Sequence, residues 1–244
     1  MKKEWFEEWF DSPYYHILYK GHDDDEARKT LDNLLRALGL PEGARILDLA
    51  CGKGRHSRYL AEKGYDVTGL DISQNSISYA RQFEQERLAF FQHDMRKLFR
   101  TNYFDAVMNL FTSFGYFITD LDHLHALQNI SKGLKPGGLL LIDFFNSEWV
   151  RQHLVSSEVK TVNDIEFHLK KNIAGQYVYK SVQFEAEGKR FSFRERVRLF
   201  DLADFQSLLE QSGLKINNTY GDYDLRSFDP LQSKRLILVA QKTP

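Results

Sequence analysis

The run Ile46-Leu47-Asp48-Leu49-Ala50-Cys51-Gly52-Lys53-Gly54 carries one carboxylate and two glycines out of an apolar stretch and into a helical one. Gly52 and Gly54 let backbone approach a bound group closely, and the unpaired N–H groups at the start of the next helix point toward it. Asp71 follows Gly52 by 19 residues and ends a second apolar run, where an acidic side chain can accept both hydroxyls of a ribose. Asp94, with Met95 beside it, ends a third. Carboxylates at three successive strand ends face the crevice outside the carboxyl edge of a sheet, which is where doubly wound folds bind ligands.

Positioning these residues takes a parallel sheet flanked by helices. Alternation of short apolar runs with amphipathic stretches predicts strands over residues 45–50, 66–71, 88–94, 105–111 and 139–145. Helices are predicted over 56–63, ending at Gly64, over 73–86 with Ser73 as N-cap, and over 121–134, stopped by Lys135-Pro136-Gly137-Gly138. Right-handed crossovers make such a sheet doubly wound. An earlier helix, 23–38, has Leu31, Leu34, Leu35 and Leu38 on one face and an acidic first turn, Asp24, Asp25 and Glu26; it packs beside the core or lids it. After residue 150 the period changes to alternation over 164–172, 176–186 and 190–200, an antiparallel insert of roughly 151–200. A helix over 201–211, with Gly213 past its end, leads to strands 215–220 and 235–241. The expected class is α/β: a doubly wound, mostly parallel, seven-stranded Rossmann-like sheet with an antiparallel β insert between its fifth and sixth strands.

Composition agrees with a packed core. Of 244 residues 42% are hydrophobic and 14% aromatic (19 Phe, 12 Tyr, 3 Trp), enough apolar surface to offset chain entropy. With 33 Lys+Arg against 34 Asp+Glu, the charge balance argues against a protein that mainly grips a nucleic-acid backbone. The longest apolar run, 139–145, is broken by Asp143, and the first ten residues carry Glu4, Glu7 and Glu8. Neither a membrane span nor a signal peptide is expected, and a single cysteine, Cys51, fits a cytoplasmic address. Cys51 sits near a helix start, which would lower its pKa, yet it reads as a small loop residue rather than a nucleophile. The eight histidines show no metal-ligand spacing, so no metal is expected.

Two ligand classes compete for the glycine turn. A dinucleotide wants G-x-G-x-x-G, but the third position is Ser57, and the Asp48 carboxylate would repel a pyrophosphate. A carboxylate there suits a ligand bearing an ammonium. The turn resembles motif I of the class I S-adenosylmethionine-dependent methyltransferases, D/E-x-G-x-G-x-G, with Ala50 in place of the first glycine. Asp71 resembles the family's acidic motif, His93-Asp94-Met95 its adenine-contacting motif, and Phe104-Asp105-Ala106-Val107 its fourth strand; Leu134 to Asp143 is similar to its turn into strand five. The wider pattern, including Phe111 to Phe117, resembles bacterial small-molecule methyltransferases.

The resemblance implies that Asp48 and the backbone of Ala50, Gly52 and Gly54 hold the methionine end of S-adenosylmethionine. It implies that Asp71 takes the ribose hydroxyls with Ile72 against the adenine, that Asp94 accepts from the adenine amino group with Met95 on the ring, and that Asn109, Leu110 and Phe111 flank the cofactor. The segment before the first strand often folds over the cofactor in this family, which makes Tyr14, Tyr15 and Tyr19 candidate lid contacts. The implied reaction is in-line attack on the sulfonium methyl. It needs orientation and exclusion of water rather than a nucleophilic side chain; His16, His56 and Tyr116 are candidate general bases. The implied domain plan is a cofactor-binding body of residues 1–150 and 201–244, its first 40 residues a helical lid, with 151–200 over the substrate entrance.

A small-molecule acceptor is the first choice. DNA amino-methylation usually goes with a Pro-Pro pair after the fourth strand, where this chain has Asn109-Leu110-Phe111-Thr112, and cytosine carbon-5 methylation needs a cysteine outside the glycine turn. An NAD(P)-dependent oxidoreductase and a non-catalytic S-adenosylmethionine-binding protein stay open as alternatives. Residues 151–200 hold 10 Lys and Arg against 6 Asp and Glu, a net +4, and Arg194, Arg196 and Arg198 alternate on one face, read as a solvated sheet face or a surface for an anionic partner. Aromatics gather before the core (Trp5 to Tyr19), after the fourth strand (Phe111 to Phe117) and in the insert (Phe167 to Phe200), and are expected to wall a dry chamber above the cofactor.

Overall fold

The structure is a computed structural model that describes residues 4–19 and 24–243, with 24–26 by their backbone. Two short helices come first, α1 (Trp5–Phe10) and α2 (Pro13–Leu18). Ser12 caps α2 by accepting from the Tyr14 N–H, and Pro13 suits the first turn. Then α3 (Asp24–Leu38) leads into β1 (Arg45–Leu49), α4 (Arg55–Glu62), β2 (Asp66–Asp71), α5 (Gln74–Ala80), β3 (Leu88–Gln92), β4 (Phe104–Asn109), α6 (Asp120–Gly133), β5 (Leu134–Phe145) and α7 (Ser147–His153). The expected helix start at Asp23 lies outside the described residues. The insert follows as β6 (Ser157–Val162), β7 (Ile165–Ala174), β8 (Tyr177–Ala186) and β9 (Lys189–Arg198), and the chain closes with α8 (Leu202–Glu210), β10 (Leu214–Tyr220) and β11 (Arg235–Lys242).

The main sheet runs β10-β11-β5-β4-β1-β2-β3, parallel except for β11, which is antiparallel to both of its neighbours. Strand order reverses at β1, which pairs with β2 on one side and β4 on the other. The crevice therefore opens where the chain leaves β1 and β4. Period-2 alternation along β1 sends Leu47 and Leu49 to the face covered by α6 and α8, and Ile46 to the face covered by α3, α4 and α5. The four leucines of α3 lie in that second core. Of the described residues in the segment expected to lid the site, α1 and α2 cross to the insert, where Trp9 and Leu18 are buried with Phe167, Leu169, Val182 and Phe184.

Three local departures have physical causes. The helix expected to run to residue 86 ends at Ala80 with one 3₁₀ turn, because Glu84 is extended and its carboxylate accepts the Phe90 N–H at 2.8 Å, tying the segment to the edge strand. The third strand stops at Gln92, so Asp94 sits in a turn, and the Arg96 N–H closes that turn onto its carboxylate. The insert has four strands rather than three. Ser157–Val162 is mostly exposed on both faces and lacks the alternation that reveals the others.

Candidate active site

The glycine turn is built from left-handed backbone. Ala50, Gly52 and Gly54 have φ of 65°, 54° and 78°, and the Ala50 and Cys51 N–H groups both donate to the Leu70 carbonyl, at 2.7 and 3.0 Å. The two glycines serve different ends. A Cβ on Gly52 would meet nothing within 4 Å, and the residue borders open space; a Cβ on Gly54 would lie 2.5 Å from Phe90 Cζ. Gly54 therefore makes room for a core ring at the start of α4 rather than for a ligand. Gly69 does the same on β2, with Phe90 Cδ1 2.5 Å from its virtual Cβ.

Two adjoining cavities meet at this turn, sharing Phe10, Tyr15, Ala50, Gly52, Phe111, Ser113 and Tyr116. One extends past Asp71, Ile72, Asp94, Met95 and His16. The other extends past Tyr19, Asp48, His56, Leu110 and Glu195. Of the sequence-predicted residues, Tyr14, Gly54 and Asn109 line neither. Asn109 is buried, and its Nδ2 donates to the Leu49 carbonyl at 3.1 Å, joining the ends of β4 and β1 from behind the cavity.

Burial pushes the Asp48 carboxyl up to about 6; the Ser57 hydroxyl, donating at 2.5 Å, opposes this and the Asp71 charge adds to it. Burial also raises Asp71, against N–H donors from Ser73 and Gly52 at 2.8 Å each. At Asp94 burial is outweighed by Arg96, whose guanidinium reaches both carboxylate oxygens at 2.7 to 3.0 Å and holds the group below its ordinary range. Arg96 also pairs with Glu4 at 2.7 Å, fastening the chain ahead of α1 to this wall. The Cys51 thiol is raised, by burial first and then by Asp48 and Asp71, so the expected lowering at the helix start loses to desolvation.

The candidate bases separate. His16 lies against Ser76 Oγ at 3.2 Å, and burial followed by the Lys53 charge lowers it to about 4. The Tyr116 hydroxyl donates to the Thr112 carbonyl at 2.7 Å, and burial raises its pKa. His56 stacks on Phe111 with ring centres 4.9 Å apart.

Glu195 on the cavity wall and Asp143 behind it were not among the sequence-predicted site residues. Glu195 accepts from Trp9 Nε1 and the Tyr19 hydroxyl, both at 2.8 Å. Its signal was a carboxylate on the same face of β9 as Phe191, Phe193 and Val197. Asp143, fully buried, accepts the Phe111 N–H at 2.8 Å, the Tyr223 hydroxyl at 3.0 Å and Arg235 at 2.6 Å; its signal was the break in an apolar strand. That network holds Phe111 and Thr112 at φ of 55° and 60°, with the Thr112 N–H on the Asp143 carbonyl.

The aromatic chamber is only partly as expected. Phe10, Tyr15, Tyr19, Phe111, Tyr116 and Phe117 line it. Tyr14 instead packs 4.7 Å from Phe184 and 4.8 Å from Phe191, and Phe114 is buried against Phe200 and Phe205. The insert rings pack instead against α1 and α2, Phe193 on Trp9 at 4.4 Å and Phe184 and Phe191 on Tyr14. Arg196 and Arg198 are likewise not a free basic stripe: Arg196 donates to the Phe117 carbonyl and buried Arg198 lies 3.5 Å from Asp120.

This fold and site define a class I methyltransferase. The methyltransferase domain family matches residues 46–138. The chain is 31% identical over 217 residues to YqeM of Bacillus subtilis, a protein assigned as a methyltransferase, covering 84% of this chain and 86% of that one. It is 27% identical over 217 residues to the dTDP-3-amino-3,4,6-trideoxy-alpha-D-glucopyranose N,N-dimethyltransferase of Streptomyces venezuelae, covering 85% and 91%. The crystal structure of an S-adenosylmethionine-dependent methyltransferase from Clostridium acetobutylicum shares the fold with a TM-score of 0.78 over 95% of this chain and 96% of that one, at 21% identity. The chain belongs to the S-adenosylmethionine-dependent methyltransferases, and S-adenosylmethionine is its cofactor.

Proposed function

We propose that the protein transfers the methyl group of S-adenosylmethionine to a small-molecule acceptor admitted between α1, α2 and β9, with the insert of residues 151–200 covering the entrance. The observation that carries this reading is the pair of adjoining cavities meeting at Gly52, Phe111 and Tyr116. One has a ribose-and-adenine character, with Asp71, Ile72, Asp94 and Met95; the other has a buried carboxylate and aromatic walls. The S. venezuelae relative is named for a dTDP-linked amino sugar, which supports a small-molecule acceptor rather than a macromolecule.

The residues fit the cofactor. Asp48 is a desolvated carboxylate that lacks a cation partner among the described residues and would take the ammonium of the methionine end. Open space at Gly52 leaves the backbone of Ala50 and Gly52 accessible to that end. Asp71 would take the ribose hydroxyls, Ile72 and Met95 would flank the adenine, Asp94 would accept from its amino group, and Leu110, Phe111 and Tyr19 would close the other side. Bound there, the cofactor supplies a methyl already activated on a sulfonium. The chain's own contribution is to orient the acceptor and exclude water with Phe10, Tyr15 and Tyr116. Of the candidate bases, His16 is uncharged near neutral pH but weakened as a base, since burial and the Lys53 charge lower its pKa to about 4, and the Tyr116 hydroxyl is committed as a donor.

Titration calorimetry with S-adenosylmethionine, S-adenosylhomocysteine and NAD tests the cofactor assignment: the first two should bind, and binding of NAD alone would overturn the reading. Label transfer from the methyl-labelled cofactor across a metabolite panel tests turnover; its absence with every acceptor would favour a non-catalytic binding protein.

A further inference from the structure

We infer that the methyl acceptor is an amine, recognised as its ammonium by Glu195 inside a partial cage of aromatic rings; this rests on the methyl-transfer reading above. Glu195 lies on the inner face of β9, on the cavity wall, with its side chain 13% exposed. All three of its partners meet the same oxygen: Trp9 Nε1 at 2.8 Å, the Tyr19 hydroxyl at 2.8 Å and Lys180 Nζ at 3.7 Å all address Oε1. Oε2 takes no hydrogen bond from any described residue, and it is not among the buried, unpartnered side-chain atoms. One carboxylate oxygen thus fixes the side chain to the N-terminal helices, and the other is left to a ligand.

The neighbouring groups narrow what that ligand can be. Tyr116 gives its proton to the Thr112 carbonyl, Tyr19 gives its proton to Glu195, and Arg235 is spent on Asp143 and Thr112 Oγ1. The wall therefore offers a hydrogen-bond acceptor without a partner, while these donors are already engaged. A carboxylate or phosphate on the acceptor would meet the open oxygen of Glu195 on this wall and be repelled. An ammonium would be attracted by the carboxylate and by ring faces. Phe10 lies 5.0 Å from Tyr15 and 5.1 Å from Tyr116, and Tyr15 lies 4.7 Å from Tyr19, all four on the cavity. Rings around a carboxylate are a receptor for alkylammonium groups, because the ring quadrupole attracts a cation that is too apolar to be held well by water. An ammonium nitrogen has no lone pair to attack with. A proton passed from nitrogen to Oε2 leaves the lone pair on nitrogen, ready to form the new N–C bond as the sulfur–carbon bond breaks and its electron pair returns to sulfur.

The test uses the full chain saturated with S-adenosylhomocysteine, titrated by calorimetry with cyclohexylamine, cyclohexanol and cyclohexanecarboxylate, three probes of similar shape and different charge. The amine should bind at least about tenfold more tightly than either of the others, since a hydrogen bond to a charged group carries that much. In Glu195→Gln, which keeps an oxygen for Trp9 and Tyr19, the preference should fall to about threefold or less while the S-adenosylhomocysteine affinity stays within about threefold of wild type. Glu195→Asp, which retracts the carboxylate by one methylene, should lose amine binding in the same way and provides a second variant if Glu195→Gln does not fold. A wild-type protein that fails to bind S-adenosylhomocysteine overturns the methyltransferase reading itself. Binding of S-adenosylhomocysteine without amine preference, including no binding of any probe, overturns only the amine inference, as does a preference that survives in Glu195→Gln.

Discussion

The Ser57 hydroxyl, on the first turn of α4, donates to Asp48 Oδ2 in β1 at 2.5 Å, and both residues are buried. Ser57 occupies the position where a dinucleotide-binding turn carries its third glycine, so one substitution both removes the close packing a pyrophosphate needs and adds a donor to the carboxylate. Ser57 is the one side chain that hydrogen-bonds Asp48 among the described residues, and it works against the burial that pushes Asp48 toward its neutral form. The pair keeps a carboxylate available at a site where an ammonium has to be held.

A pH dependence follows. The Asp48 pKa rises on folding from 3.8 to about 6, so between those values the folded state holds more protons than the unfolded one. Asp48 therefore makes the cofactor-free protein less stable as pH rises through that window. Cofactor binding has the opposite sign, because the ammonium needs the ionised form: affinity for S-adenosylmethionine should climb about fivefold between pH 5 and 6 and level off by about 7. Ser57→Ala should move that midpoint upward, and Asp48→Asn should leave a weak, flat profile. Calorimetry across this range checks it; a flat wild-type profile would remove Asp48 from contact with the ammonium.

The two glycines of the turn should respond differently to alanine. Gly54→Ala puts a Cβ 2.5 Å from Phe90 Cζ at φ +78°, so overpacking and left-handed strain together should cost about 2–4 kcal/mol of stability. Gly52→Ala, at φ +54° with open space around its Cβ, should cost only about 1–2 kcal/mol but weaken S-adenosylmethionine binding, since that space belongs to the cavity. Thermal melts of both variants and calorimetry on the folded ones separate the effects. Equal melting temperatures would mean that Phe90 moves aside freely.

How far the sequence reveals this protein depends on which forces are local. The parallel core was legible because its strands are apolar runs ended by carboxylates, and β2 falls on the expected residues, 66–71. Asp48, Asp71 and Asp94 were legible for the same reason. Helices α1 and α2 were not, since six-residue helices carry too little periodicity and are held by Trp9 and Leu18 against a sheet about 150 residues away in the chain. Gly54 was misread because the ring that needs its missing Cβ, Phe90, comes from another strand. Glu195 and Asp143 each showed as a charge in an apolar pattern, but the partners that give them meaning, Trp9 and Arg235, are 186 and 92 residues distant.

Asp71 offers the most direct check of the cofactor side. Its carboxylate is fixed by the Gly52 and Ser73 N–H groups, so Asp71→Ala removes an oriented, charged acceptor and should weaken S-adenosylmethionine binding by about 1–3 kcal/mol. Calorimetry measures this, and an unchanged affinity would take Asp71 out of the site. Asp71→Asn, which keeps one oxygen, should fall between alanine and wild type.

The last prediction concerns what holds the far wall. Asp143 is fully buried and Arg235 pairs with it at 2.6 Å, while the same carboxylate fixes the Phe111 N–H. Arg235→Leu strands a buried charge and should cost about 3–5 kcal/mol, a fall in Tm of about 6–20 °C for a chain of this size. Removing the charge as well, in Asp143→Asn with Arg235→Leu, should recover part of that loss, because the remaining carboxamide oxygen can still accept from Phe111 and Tyr223. The Phe111–Thr112 turn faces both cavities, so Arg235→Leu should also lower S-adenosylmethionine affinity in whatever fraction stays folded at low temperature. Melting curves of the single and double variants decide the matter: an Arg235→Leu protein as stable as wild type would show that the left-handed pair at Phe111 and Thr112 is held by the surrounding chain rather than by the buried carboxylate.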